Sequence, residues 1–140
     1  MATAEEARPL YLDSSALIKL VFDEPESAAL RWVVAARPIA SSALALAEVP
    51  RGARRMPAAR ATGQRQHDVE NLLRNIDYVP LDLEQILRAG AFTEPWLRTL
   101  DALHLAAALT VVEDIDAFVT YDRRQARAVE YSGLKLLQPS

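Results

Sequence analysis

Apolar residues along the chain fall into short bursts whose internal spacing alternates between two kinds. Leu10-Tyr11-Leu12 is a brief continuous run that halts at Asp13, the mark of a buried strand meeting a junction. Residues 16–22 read as a helix of two turns behind Ser14-Ser15. The stretch 23–27 is a turn, with Pro25 and three acids suited to the positive end of the next helix. That helix, over 28–36, places Leu30, Val33 and Val34 on its buried side. Residues 38–41 predict another strand, and Ser41 or Ser42 caps a helix through Glu48 that Pro50 should end or kink.

From 51 to 67 the apolar periodicity fades. Arg51, Arg54, Arg55, Arg60 and Arg65 occur there without one acid, punctuated by Gly52, Pro57 and Gly63. A helix resumes near Gln64 and reaches Asn75, and 78–81 is a third strand. Residues 82–91 predict a helix with Leu83, Ile86 and Leu87 inward, and Thr99 caps a strongly apolar helix over 100–112. The fourth strand, 117–121, also stops at an aspartate, Asp122. A helix over 123–130, a break at Gly133 and a last strand at 134–137 complete the pattern. Short strands alternating with helices predict a parallel sheet covered on both faces. No repeat or linker divides the chain, so one α/β domain over 1–140 is expected, with 1–8 as a loose lead.

Composition narrows the function. Half the residues (51%) are hydrophobic and 25% are charged, as in a soluble globular domain and unlike a disordered chain. The chain has no cysteine, which excludes disulfide scaffolds, zinc fingers, iron–sulfur sites and cysteine nucleophiles. A net charge of -3 argues against coating nucleic acid through bulk charge. No apolar run is long enough for a membrane span, and the first residues do not resemble a signal peptide, so a cytoplasmic protein is expected.

Four acids stand out by position. Functional groups of open parallel sheets gather beyond the carboxyl ends of the strands, where Asp13 and Asp122 fall. Glu48 and Asp101 are isolated acids inside apolar helical runs, which are rarely buried without a partner. Each alone has a structural reading: Asp13 and Asp122 as helix caps, Asp101 as a complement to its helix dipole, Glu48 as an exposed residue beside a kink. Together they would repel one another unless protonated or neutralised by a cation. Mg²⁺ or Mn²⁺ suits such an oxygen-rich set. His104, three residues after Asp101, reads as an ordinary helix neighbour, and Trp32 as core or as a contact between copies.

Leu12-Asp13-Ser14-Ser15-Ala16-Leu17-Ile18-Lys19, then Glu48, then Leu100-Asp101-Ala102-Leu103-His104-Leu105-Ala106, then Val119-Thr120-Tyr121-Asp122-Arg123 resemble the PIN-domain ribonucleases, and among them the VapC toxins of type II toxin–antitoxin modules. The resemblance implies a five-stranded parallel sheet flanked by helices on both faces. It further implies that Asp13, Glu48, Asp101 and Asp122 form a catalytic metal site for Mg²⁺ or Mn²⁺, with Ser15 and Thr120 orienting the carboxylates. Implied too are an RNA substrate, endoribonuclease activity, a homodimer and inhibition by a VapB-type antitoxin. Pro50, close behind Glu48, departs from the continuous helix usual there. The arginines at 51–65, and more so Arg123 and Arg124 beside Asp122, are candidates to guide the RNA backbone.

Other readings are weaker. A receiver domain expects paired acids after the first strand, where Asp13 is followed by serines. A haloacid-dehalogenase-type phosphatase expects a second aspartate where Ser15 stands. A PIN-like module that binds RNA or protein without cleaving is the main alternative, and retention of all four acids weighs against it.

Overall fold

The computed structural model describes residues 7–57 and 65–140. Strands β1 (Leu10–Leu12), β2 (Ile39–Ser42), β3 (Ile76–Val79), β4 (Ala117–Val119) and β5 (Leu136–Leu137) form one parallel sheet in the order β3-β2-β1-β4-β5. The helices are α1 (Ser14–Ile18), α2 (Ser27–Val34), α3 (Ala45–Arg55), α4 (Arg65–Arg74), α5 (Leu83–Ala91), α6 (Thr99–Thr110) and α7 (Arg123–Tyr131). The expected five-stranded α/β architecture is the observed one.

Strand alternation divides the core. Leu10, Leu12, Ala117 and Val119 pack on residues of α1 to α4, whereas Tyr11 and Phe118 pack on α6 and α7. Both central strands are buried on both faces, which is why they read as unbroken apolar runs. Helix α5 lies outside α6, joined to it through Ala89, Ala102, Ala106 and the partly buried Phe92, Leu97 and Leu103. The chain builds from β1 towards β3 and then crosses to β4 on the other side of β1. The β1/β4 junction is therefore the topological switch point, where parallel sheets leave a crevice beyond the strand ends.

Several boundaries differ from the sequence reading, each for a local reason. Helix α1 starts at Ser14 and ends at Ile18, because Asp13 caps it directly. Helix α3 runs through Pro50 to Arg55. The carbonyl that proline leaves without a partner belongs to the exposed Leu46, where water can take the bond. Neither Ser41 nor Ser42 is its N-cap residue: Ser41 donates to the Leu12 carbonyl, and Ser42 accepts from the Leu44 N–H in the preceding turn. Strand β3 is shifted to Ile76–Val79, since Pro80 has no N–H for the ladder. Thr99 is the first residue of α6, with Arg98 at the cap, and β4 stops at Val119, two residues sooner than expected. Gly133, at φ 78, turns α7 back towards β5.

Exposure removes one of the two readings of Trp32 and overturns that of α5. Trp32 is 82% exposed, so it is not core. Leu83 and Leu87 of α5 are 70% and 67% exposed and Ile86 is 45% exposed, while Gln85 and Ala89 face inward. Arg60 and Gly63 lie outside the described residues, as does the lead up to residue 6; the Arg8 carbonyl is held by Arg37. Among the described residues no helix is long and apolar enough to cross a membrane. Helices α1 and α3 approach closely: a Cβ added at Gly52 would lie 2.5 Å from Ile18 Cδ1.

Candidate active site

A cavity of about 560 Å³ opens at the switch point, and Asp13, Glu48, Asp101 and Asp122 all line it. Four acids far apart in sequence thus share one space because four different elements end or begin there. Asp13 follows β1, Glu48 stands in the first turn of α3, Asp101 in the first turn of α6, and Asp122 caps α7.

Asp13 is buried and hydrogen-bonded on several sides. Its Oδ1 accepts from Ser15 Oγ at 2.8 Å and from the Ala16 N–H at 3.0 Å. Thr120 Oγ1 accepts from the Asp122 N–H at 3.2 Å, and its side chain also hydrogen-bonds Asp13. Ser15 and Thr120 therefore both contact the Asp13 carboxyl group. Burial nonetheless pushes its pKa up, partly offset by these donors and by His104. Asp122 Oδ1 accepts from the N–H groups of Arg124 and Gln125, and Gln125 Nε2 donates to the Asp101 carbonyl at 2.9 Å. The cap reading of Asp13 and Asp122 is thus correct and compatible with a place in the cavity. One oxygen of Asp122 serves the helix, and its Oδ2 has no protein donor among the described residues.

Asp101 and Glu48 differ sharply. No described donor reaches the Asp101 carboxylate, and its pKa is pushed up to about 6 by burial and by the charges of Asp122 and Asp13. Burial also works against the charged form of Glu48, yet the His104 hydrogen bond, the His104 charge and Ser14 hold its pKa below the ordinary value. Glu48 Oε1 accepts from Ser14 Oγ and is paired with His104 Nε2, both at 2.7 Å. His104 is buried, and its Nδ1 meets the Tyr11 hydroxyl at 2.8 Å.

The sequence reading did not single out Ser14, Tyr11 or the link from His104 to Glu48. The available signal was the spacing of Asp101 and His104, which puts them on one side of a helix. The arginines nearest the acids are not those next to Asp122 in the sequence. Arg51 and Arg55 of α3, together with Arg98 before α6, line the acid cavity. Arg123 faces a separate groove with Arg127, Tyr131 and Gln138, and neither it nor the Arg124 side chain lines the cavity. None of Arg51, Arg55 or Arg98 is in an ion pair among the described residues. Among those residues, too, no three His, Asp or Glu side chains are drawn into a ready-made ligand cluster; the acids surround a space.

The family model described as the PIN domain matches residues 10–131. The chain is 41% identical over 133 residues to ribonuclease VapC46 of Mycobacterium tuberculosis, covering 94% of this chain and 98% of that protein. Ribonuclease VapC47 of the same organism is 38% identical over 120 residues, or 82% and 85% of the two chains. The chain belongs to the PIN-domain family and, within it, to the VapC ribonucleases. Two solved structures share the fold at low identity. The VapBC2 structure from Rickettsia felis, bound to a DNA fragment from their promoter, superposes with a TM-score of 0.61 at 15% identity, covering 94% of this chain and 98% of that one. Mycobacterium tuberculosis VapC20, a sarcin–ricin loop cleaving toxin, gives 0.67 at 13% identity, covering 93% and 99%.

Proposed function

We propose that this protein is a Mg²⁺- or Mn²⁺-dependent endoribonuclease that hydrolyses RNA phosphodiester bonds as the toxin of a toxin–antitoxin pair. The observation that carries the metal reading is the crowding at Asp101, whose carboxylate is part-buried, is opposed by Asp122 and Asp13 more than it is relieved by His104 and Arg98, and meets no hydrogen-bond donor among the described residues. A hard divalent cation relieves such repulsion. The donor set fits one: the Asp101 carboxylate, Asp122 Oδ2 and Glu48 Oε2 are free of protein hydrogen bonds among the described residues, and the cavity has room for an ion with its waters. Asp13, Glu48, Asp101 and Asp122 would hold it.

Such an ion supplies, when bound, positive charge for the phosphoryl oxygens and acidity for a water molecule. The chain's own residues do the rest. Ser15 and Thr120 fix the Asp13 carboxyl, and His104 and Ser14 fix that of Glu48. Asp101, whose pKa burial and its acid neighbours push up to about 6 in the metal-free site, must give up its proton before it can serve as a ligand. Arg51, Arg55 and Arg98 offer guanidinium groups to the phosphates flanking the bond to be cut. Their position on the rim explains how a protein of net charge -3 can bind a polyanion.

The names of the relatives and the VapBC2 structure support restraint by a VapB-type antitoxin, in the cytoplasm where the RNA is found. The exposed stripe of Leu83, Ile86 and Leu87 on α5 supports a homodimer, since each copy would offer the same apolar surface to the other. Leu87→Asp is expected to convert the dimer to monomer, read by size-exclusion chromatography with light scattering; a wild-type monomer would sink that assignment.

The decisive experiment is cleavage of cellular RNA by the purified protein freed of antitoxin. Activity should need added Mg²⁺ or Mn²⁺, vanish in EDTA, and vanish in Asp13→Asn. Cleavage that persists in EDTA or in that variant would overturn the proposal, and RNA binding without cleavage would leave a silent RNA-binding module.

A further inference from the structure

We propose that His104, itself held by Tyr11, is a positioning residue that fixes the Glu48 carboxylate at the cavity wall for a divalent cation; this rests on the metal-nuclease reading. His104 is only 2% exposed, so its ring nitrogens depend on protein partners. The Tyr11 hydroxyl oxygen lies 2.8 Å from His104 Nδ1. When Tyr11 donates to Nδ1, the neutral ring must carry its proton on Nε2. Nε2 then donates to Glu48 Oε1 at 2.7 Å. An imidazolium ring would present the same Nε2 donor; only the neutral ring protonated on Nδ1 would withhold it.

Ser14 Oγ, 3.2 Å from Nε2, donates to the same Glu48 oxygen. Two donors from two elements, α1 and α6, converge on one oxygen of a side chain carried by α3. That restricts the carboxylate's torsions and leaves Oε2 without a protein donor. The fold brings these groups together: β1 carries Tyr11 two residues before Asp13, and α6 carries His104 one turn after Asp101. The strand and helix that supply two acids therefore also orient a third. A merely space-filling histidine would be replaced by leucine without consequence for the site. Partners that orient a metal ligand contribute about 10- to 100-fold in metal affinity.

The test uses the full chain freed of antitoxin, titrated with Mn²⁺ and followed by the electron paramagnetic resonance signal of the free ion. His104→Leu should weaken Mn²⁺ binding at least about tenfold. His104→Gln, which keeps a side-chain N–H, should restore most of it, and Tyr11→Phe should show an intermediate loss. Equal affinity in His104→Leu and wild type overturns the positioning role, whereas failure of the wild type to bind Mn²⁺ overturns the metal reading beneath it. A second measurement needs neither metal nor variant. Nitrogen-15 NMR of the His104 ring should show a proton on Nε2, and a neutral ring protonated on Nδ1 overturns the proposal even if His104→Leu does not fold.

Discussion

Glu48 and Asp101 are both carboxylates in the first turn of a helix, both face the same cavity, and they are driven in opposite directions. On the α3 side, Ser14 and His104 surround Glu48 and keep it ionised. On the α6 side, Asp101 is part-buried with acids for neighbours and is protonated more easily than an ordinary aspartate. The lesson is that one pocket can hold a fixed anion and a titrating one, and that the neighbours make the difference.

The largest break in this comparison should come from Asp101→Asn, with a fall in RNA cleavage of about 10²-fold or more. The pH profile sharpens it further. Cleavage by the wild type at subsaturating metal should drop as pH falls below about 6, since protonated Asp101 is a poor ligand, and by up to about tenfold per further pH unit for a single essential ionisation. Glu48→Gln should keep that acid limb. A wild-type profile flat from pH 5 to 8 would remove Asp101 from the role given to it.

A smaller effect concerns the cations on the anchored side. Arg55→Ala should weaken binding of single-stranded RNA severalfold and reduce the steepness of its salt dependence by about 0.7. An unchanged slope in fluorescence titrations would move the RNA elsewhere.

The smallest effect is on stability. The folded pKa of Asp101 lies above its unfolded value, so its ionisation costs stability, fully above about pH 6 and not at all below its unfolded pKa. Asp101→Asn should therefore stabilise the metal-free protein at pH 7 by about 1 kcal/mol, a figure discounted for solvent screening. The gain should fade at pH 4, and a melting temperature unmoved at pH 7 would contradict it.

The acids at strand ends were the most legible part of the site. Asp13 and Asp122 close apolar runs, and a parallel sheet sends such residues to one edge. Glu48 stands out as an isolated acid in an apolar run, but Pro50 behind it argues locally for a broken helix, which the exposed Leu46 makes tolerable. The face of α5 was misread for a different reason. Periodicity shows that Leu83, Ile86 and Leu87 share a stripe, but it does not say whether that stripe covers the chain's own core. The hydrogen bonds joining Tyr11, His104 and Glu48 span 93 and 56 positions, a separation at which local spacing carries no information.

Gly52 has a bearing on entry to the pocket. Ile18, whose terminal methyl would meet a Cβ placed there, is part of the cavity wall, and the end of an isoleucine side chain can swing aside. Replacing Gly52 with alanine would therefore leave the scaffold standing while pushing that methyl out of its seat. The bore of the passage is set, on this flank, by a missing carbon atom.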